Sequence, residues 1–284
     1  MHVHLVQFDI AWEDKRANYA RVEKLLDGVD IAPGDLIVLP EMFDTGFSFH
    51  VAKNADAPPL GDGATAAFLG DLARRRRCTV HGALTAAAGH QDFSGAIVGL
   101  NRAMIVGPDG ETIAQYDKVH PFSYGKEAEH FAGGHAVVTY PWRAHVEGRA
   151  IEECELMVCP AICYDLRFPE LFRAGLDLGA QAYAIGANWP SARAHHWRAL
   201  IIARAIENQA FVFAVNRVGR DPALEYAGGS LVVSAKGEVL VEADDREQVV
   251  SASIDPMAMH RWRGEFPAWQ DRRFGVSPGP ATPA

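Results

Sequence analysis

Residues 156–170, Leu156-Met-Val-Cys-Pro-Ala-Ile-Cys163-Tyr-Asp-Leu-Arg-Phe-Pro-Glu170, decide how the chain is read. An apolar run ends in Cys163, a tight polar segment follows, and Pro169 opens a predicted helix, because proline is favoured in the first helical turn. A strand feeding a turn and then a helix lifts the intervening residue to the edge of a sheet, where ligands of open α/β sheets bind. Cys163 then has the setting of a nucleophile: rigidly held, partly exposed, and near a helix N-terminus that favours thiolate. A free cysteine is also among the most often buried residues. On this stretch alone, nucleophile and packed thiol stand level.

Working outward, two more ionisable residues share that position. Asp35-Leu-Ile-Val-Leu39 is a short, nearly continuous apolar run, the mark of a strand covered on both faces, and it ends in Pro40-Glu41. A strand over Gly95–Val106 breaks at Pro108-Asp-Gly110, and the next strand, from Glu111, leads through Tyr116-Asp117 to Lys118. If these strands are parallel to the one before Cys163, then Glu41, Lys118 and Cys163 converge on one sheet edge. Lys118 would favour thiolate and stabilise an oxyanion, and Glu41 would accept the thiol proton and pass it to a leaving amine. Taken singly, Glu41 also reads as a helix-entry carboxylate and Lys118 as a surface cation.

Elsewhere the spacing predicts strands over His2–Asp9, Cys78–Leu84, Gln181–Ala187 and Phe211–Val215, and helices over Lys15–Leu26, Ala64–Arg76 and Ala192–Asn208. Ser230–Ser234 and Glu238–Val241 read as a hairpin, with Val249–Ile254 placed to pair beside it. Arg74–Arg77 closes a helix and reads as a solvated face favouring the helix dipole. Strands alternating with helices argue one α/β domain with a mixed sheet covered by helices. Pro121–Ala136 reads as a loop carrying Glu127, Glu129 and His130. Its single Glu127-x-x-His130 spacing is insufficient for a di-iron site, which needs two copies on long helices.

The 284 residues are 49% hydrophobic and 22% charged, which suits a globular chain with a sizeable core. A net charge of −9 disfavours nucleic acid or an acidic membrane surface as the main partner. Cysteines 78, 154, 159 and 163 form no C-x-x-C pair, so neither a structural zinc nor a disulfide framework is expected. No signal peptide and no long apolar span is read, so the expected location is the cytoplasm.

Leu39-Pro-Glu41, Tyr116-Asp-Lys118-Val-His120, and Cys163-Tyr-Asp165 with Arg167-Phe-Pro-Glu170 resemble, in order and separation, the three signature motifs of the nitrilase superfamily of carbon–nitrogen hydrolases. The resemblance runs from the first strand to Asp271. It implies an α-β-β-α sandwich forming one domain over residues 1–275 and a homodimer or higher homo-oligomer, and the composition marks a proline-rich tail at 276–284. It also implies a cofactor-free, metal-free site. There Cys163 is the nucleophile, Glu41 the general base and acid, Lys118 the oxyanion stabiliser with the Tyr164 N–H, and Glu127 a second glutamate, with Glu129 as its competitor. Ala187-Asn-Trp-Pro190, Ala203–Gln209, Asn216-Arg-Val-Gly219 and Phe266-Pro-Ala-Trp269 look like the omega-amidase branch, which deamidates dicarboxylic acid monoamides such as 2-oxoglutaramate. Such a substrate needs a cation or several donors for its distal carboxylate. Arg167, Arg193 and His120 are candidates, each equally readable as a structural side chain, and Trp189 is a candidate pocket wall. The rival readings are a hydrolase of N-carbamoyl amines or nitriles, and a non-catalytic nitrilase-like binding protein.

Overall fold

The computed structural model describes residues 1–56, 63–144, 150 and 154–273. The expected tail at 276–284 lies outside the described residues. The first half contains β1 (His2–Gln7), α1 (Lys15–Leu26), β2 (Leu36–Val38), α2 (Val51–Asn54), α3 (Ala64–Arg76), β3 (Thr79–Gln91), β4 (Ile97–Val106), β5 (Thr112–Asp117) and β6 (Tyr140–Arg143). The second half contains β7 (Glu155–Ile162), α4 (Pro169–Asp177), β8 (Ala182–Ala187), α5 (Ala194–Asn208), β9 (Phe211–Asn216), β10 (Val218–Arg220), β11 (Glu225–Ala227), β12 (Leu231–Val233), β13 (Val239–Glu242), β14 (Gln248–Ser253) and α6 (Pro256–Glu265).

Among the described residues the strands form two six-stranded sheets, ordered β14-β1-β2-β3-β4-β5 and β13-β12-β9-β8-β7-β6, with β10 and β11 as a separate ribbon. In the first sheet β1, β2 and β3 run parallel, and β4 and β5 return antiparallel in turn, so β5 points the same way as β2. In the second sheet β7, β8 and β9 are parallel. The inner faces meet in one core, in which Val3, Leu5, Val38 and Ile105 pack with Val158, Ala161, Ile185 and Val215. The amphipathic helices cover the outer faces: Val22, Leu26, Leu69 and Leu72 on the first sheet, and Leu171, Phe172, Trp197 and Ile201 beyond the second. This is the α-β-β-α sandwich that the motifs implied.

Local chemistry explains most boundaries. The Asp14 carboxylate accepts the Ala17 N–H and starts α1, and Pro169 occupies the first turn of α4. Arg74, Arg75 and Arg76 pair with Asp71, Glu23 and Asp27 on the surface, as a solvated face should. One expectation needs correction, and two elements were not expected at all. Val249–Ile254 does not join the β12–β13 hairpin; its strand β14 pairs antiparallel with β1 along its whole length and covers the edge that β1 would otherwise leave open. β6 is a strand despite Pro141, because it lies at a sheet edge where a missing N–H is tolerated. The helix α6 went unread, although Asp255 caps it through the Met257 N–H and Pro256 sits in its first turn.

Candidate active site

The strand ends place the three motif residues together, but from two sheets rather than one edge. Glu41 follows β2 and Lys118 follows β5 in the first sheet, while Cys163 follows β7 in the second. The two sheets approach closely here. A Cβ on Gly186 of β8 would lie 2.8 Å from the Leu39 carbonyl oxygen, so only glycine fits opposite the approach to Glu41.

Lys118 Nζ donates to Glu41 Oε1 at 2.7 Å and to Glu127 Oε2 at 2.8 Å, and all three side chains are at most 1% exposed. Asn101 Nδ2, from β4, donates to Glu41 Oε1 at 2.8 Å and to Glu127 Oε1 at 2.9 Å. The Asn188 N–H binds Glu41 Oε2 at 2.8 Å, and its Nδ2 holds the Glu41 carbonyl oxygen at 2.6 Å. Glu127 also accepts the Phe122 N–H at 2.6 Å. Glu129 is exposed, so of the two glutamates in this loop it is Glu127 that meets Lys118.

Cys163 has φ 45°, a left-handed conformation costing a non-glycine residue about 1–3 kcal/mol. Asp165 holds that turn. It accepts the Ile162 N–H at 3.0 Å and the Tyr116 hydroxyl at 2.6 Å on one oxygen, and the His120 N–H at 3.0 Å and Nδ1 at 2.8 Å on the other. One carboxylate thereby ties the cysteine turn to the segment that carries Lys118.

The electrostatics reverse one expectation. Cys163 is only 8% exposed, where a partly exposed thiolate was expected. Burial and the neighbouring Glu41 carboxylate push its thiol well above the usual range, against the opposing pull of Lys118. The resting group is therefore a thiol. Burial disfavours charge on Glu41 too, but Lys118 and the Asn188 and Asn101 donors outweigh it and hold its carboxyl below the usual range. Glu127 goes the other way: burial and the Glu41 charge outweigh Lys118 and raise it. Burial opposes charge on Lys118, yet the Glu127 and Glu41 carboxylates raise its affinity for its proton.

A cleft of about 380 Å³ opens from Cys163 and Lys118, lined by Phe47, Phe122, Tyr164, Arg167, Asn188, Trp189, Pro190, Arg193 and Leu224. Trp189, the candidate wall, lies in this lining, fixed by its Nε1 donating to the Arg193 carbonyl at 2.8 Å. The Arg167 guanidinium lies 4.7 Å above the Trp189 ring, and that of Arg193 lies 5.6 Å from the Phe122 ring centroid. Among the described residues neither forms an ion pair with a carboxylate. Burial, and then the charge of Arg193, lower the proton affinity of Arg167. His120 is not part of the lining. Its Nδ1 is committed to Asp165 and its ring stacks on Phe168 at 3.8 Å, so it is a support for the turn rather than a substrate contact.

The carbon–nitrogen hydrolase family model matches residues 2–264. The chain belongs to the carbon–nitrogen hydrolase family. This carbon–nitrogen hydrolase is 35% identical to the omega-amidase YafV of Escherichia coli, with 95% of this chain and 96% of that protein covered. It is 31% identical to a 2-oxoglutaramate amidase of Bacillus subtilis, covering 95% and 97%. Its fold matches a CN-hydrolase superfamily protein of Xanthomonas campestris, solved with an arsenic adduct in its active site, at a TM-score of 0.83, 35% identity, and 97% and 98% coverage. Among the described residues of the hydrolase, no helix is long and apolar enough to cross a membrane.

Sequence reasoning missed Asn101, and it named Asn188 and Asp165 only inside motifs. The available signal was an asparagine within the apolar strand run Gly99-Leu-Asn-Arg-Ala-Met-Ile-Val106. A buried amide needs partners, and a strand end beside Glu41 supplies them.

Proposed function

We propose that this hydrolase removes the terminal amide of a small dicarboxylic acid monoamide, of the 2-oxoglutaramate type, releasing the acid and ammonia. The observation that carries the reading is the pair of guanidinium groups, Arg167 and Arg193, without carboxylate partners in the cleft that ends at Cys163. A distal carboxylate between them would receive charge-assisted hydrogen bonds, and the rest of a short substrate would point its amide at the thiol. Relatives named omega-amidase and 2-oxoglutaramate amidase support the same substrate class.

Because the thiol is protonated at rest, its proton passes to Glu41 as sulfur attacks the amide carbon. Lys118 and the Tyr164 N–H, in the first turn after β7 where helical N–H groups lack internal partners, stabilise the oxyanion. Glu41 returns the proton to nitrogen, the C–N bond breaks, and ammonia leaves a thioester. A water then gives a proton to Glu41, its oxygen attacks the thioester, the C–S bond breaks, and the proton returns to sulfur. Glu127 holds Lys118 in place. No cofactor or metal enters this scheme. Our reading places one domain over residues 1–275, in a cytoplasmic homodimer, which light scattering in solution tests.

The test is ammonia release from 2-oxoglutaramate, 2-oxosuccinamate, glutamine, N-carbamoylputrescine and a simple nitrile, for the wild type and Cys163→Ala. Turnover of the two oxo-acid amides that vanishes in Cys163→Ala is expected. Preferential turnover of the carbamoyl compound or the nitrile would replace the substrate class, and full activity of Cys163→Ala would overturn the mechanism.

A further inference from the structure

We infer that Asn101 is a positioning residue of this reaction: a neutral bridge that holds the two carboxylates and Lys118 in one rigid set and keeps Glu41 ionised. The inference rests on the amide-hydrolase reading above.

Three contacts converge on this one side chain and its peptide. Nδ2 donates one hydrogen to Glu41 and the other to Glu127, and the Asn101 carbonyl oxygen accepts the Lys118 N–H at 2.9 Å. Asn101 is 1% exposed, and β4 fixes it by pairing with Thr85 of β3. Among the described residues, its own Oδ1 is buried with no partner. A buried acceptor left empty is rare and calls for a reason. Here the amide is retained for its NH2, and the carbonyl that comes with it goes unused.

The chemistry explains why no other small group serves. Two carboxylates against one ammonium leave a net negative charge in a buried set. A second cation at 101 would neutralise that charge and lower the basicity of Glu41. A hydroxyl donates once and could reach only one carboxylate. An apolar residue would leave two like charges facing each other with Lys118 alone between them. An amide NH2 supplies two donors with no added charge. By stabilising the ionised form of Glu41, it holds the acid limb of the activity profile low.

Two variants test this, Asn101→Leu and Asn101→Asp, each checked for folding by circular dichroism. The readouts are kcat, KM, the pH profile of kcat/KM, and the pH profile of Cys163 alkylation by iodoacetamide, followed by mass spectrometry. For Asn101→Leu we expect kcat to fall about 30-fold or more with KM within about threefold, and the acid limb to move up by about half a pH unit or more in both profiles. Asn101→Asp, of nearly equal volume, should shift the limb further and recover part of the loss as pH falls, because the introduced carboxyl donates a hydrogen bond once protonated. A folded variant with an unmoved acid limb overturns the inference, and so does failure of both variants to fold, which would make Asn101 a structural residue alone. The alkylation profile needs no amide substrate. If the wild type turned over none of the amides, the functional reading would fail while the role of Asn101 was still measured.

Discussion

The two ends of the cleft are built on opposite plans. At the inner end every charged group is paired: Lys118 with two carboxylates, and those carboxylates with Asn101, Asn188 and the Phe122 N–H. At the outer end Arg167 and Arg193 rest over aromatic rings, near enough to repel, with no carboxylate partner among the described residues. The inner end is assembled before any substrate arrives, so its dipoles need no reorganisation during the reaction. The outer end lacks an anion, and the proposed substrate carries one.

The strongest way to break that contrast is to unpair the inner end. Lys118→Met should cost kcat about 10³-fold or more. It should also destabilise the fold by about 3–5 kcal/mol at neutral pH, because two buried carboxylates lose their cation. The sign with pH follows. In the wild type Glu41 sits below the usual carboxylate range, so its contribution is present at neutral pH and shrinks in acid. Without Lys118 both carboxyls rise and take up protons, so the deficit relative to the wild type should narrow from pH 7.5 to pH 5. Urea unfolding at the two pH values measures it. An unchanged stability at both would mean the inner end is not held by paired charge.

Next in size is Asp165→Asn. Asp165 accepts four hydrogen bonds, and an amide can accept on one oxygen only. At least one buried donor loses its partner, at about 1–3 kcal/mol, and the left-handed turn at Cys163 is released. A thiol displaced by even an ångström should lower kcat about 10–100-fold. KM should hardly move, since the guanidinium pair is untouched. A rise in KM with kcat intact would place Asp165 with the outer end instead.

The same division separates what was legible in the sequence from what was not. The apolar runs before Glu41 and Cys163, and the turn and strand before Lys118, marked the three strand ends, because burial on both faces writes itself as consecutive hydrophobic residues. Which sheet each end belongs to was not legible in the periodicity, since strand pairing is specified by residues far apart in sequence, as between β1 and β14, and leaves no local sign. The protonation state of Cys163 was misjudged for a related reason. A cysteine after a strand looks exposed in one dimension, and only the opposing first sheet buries it against Glu41. Asn101 escaped notice because a single polar residue in a strand carries no period. His120 is one of three candidates for the substrate carboxylate in the sequence, equally readable as structural, and the turn directs its ring onto Phe168.

The outer end is sharpened by Arg167→Met and Arg193→Met. Each should lower kcat/KM for 2-oxoglutaramate about tenfold, through KM, because a charge-assisted hydrogen bond to the distal carboxylate is lost. A short neutral amide, with no distal carboxylate, should be hydrolysed as before. Equal losses on both substrates would assign the arginines to the wall alone, and the substrate class would have to change.

The smallest effect is expected in the wall that joins the two ends. Phe47 lines the cleft and lies with its ring 5.6 Å from Lys118 Nζ. The loop that carries it is clamped by Glu13, which accepts from Ser48 Oγ, from His50 Nδ1 at 2.6 Å and from Lys53 Nζ at 2.6 Å. Burial opposes charge on Glu13, but Lys53, Ser48 and His50 together hold its carboxyl at about 2. Lys53 and His50 are largely exposed, so screening leaves these pairs worth about 1 kcal/mol. Glu13→Gln should therefore lower Tm by about 2–4 °C and raise KM about twofold. Because the folded carboxyl titrates below its unfolded counterpart, its contribution is complete above the ordinary glutamate range and lost as pH falls toward 2. The Tm difference between wild type and Glu13→Gln should thus be largest at pH 6 and smaller at pH 3.5. A difference that grew in acid would mean that the clamp works through the uncharged hydrogen bonds of Ser48, and that the charge on Glu13 is incidental to holding Phe47 over Lys118.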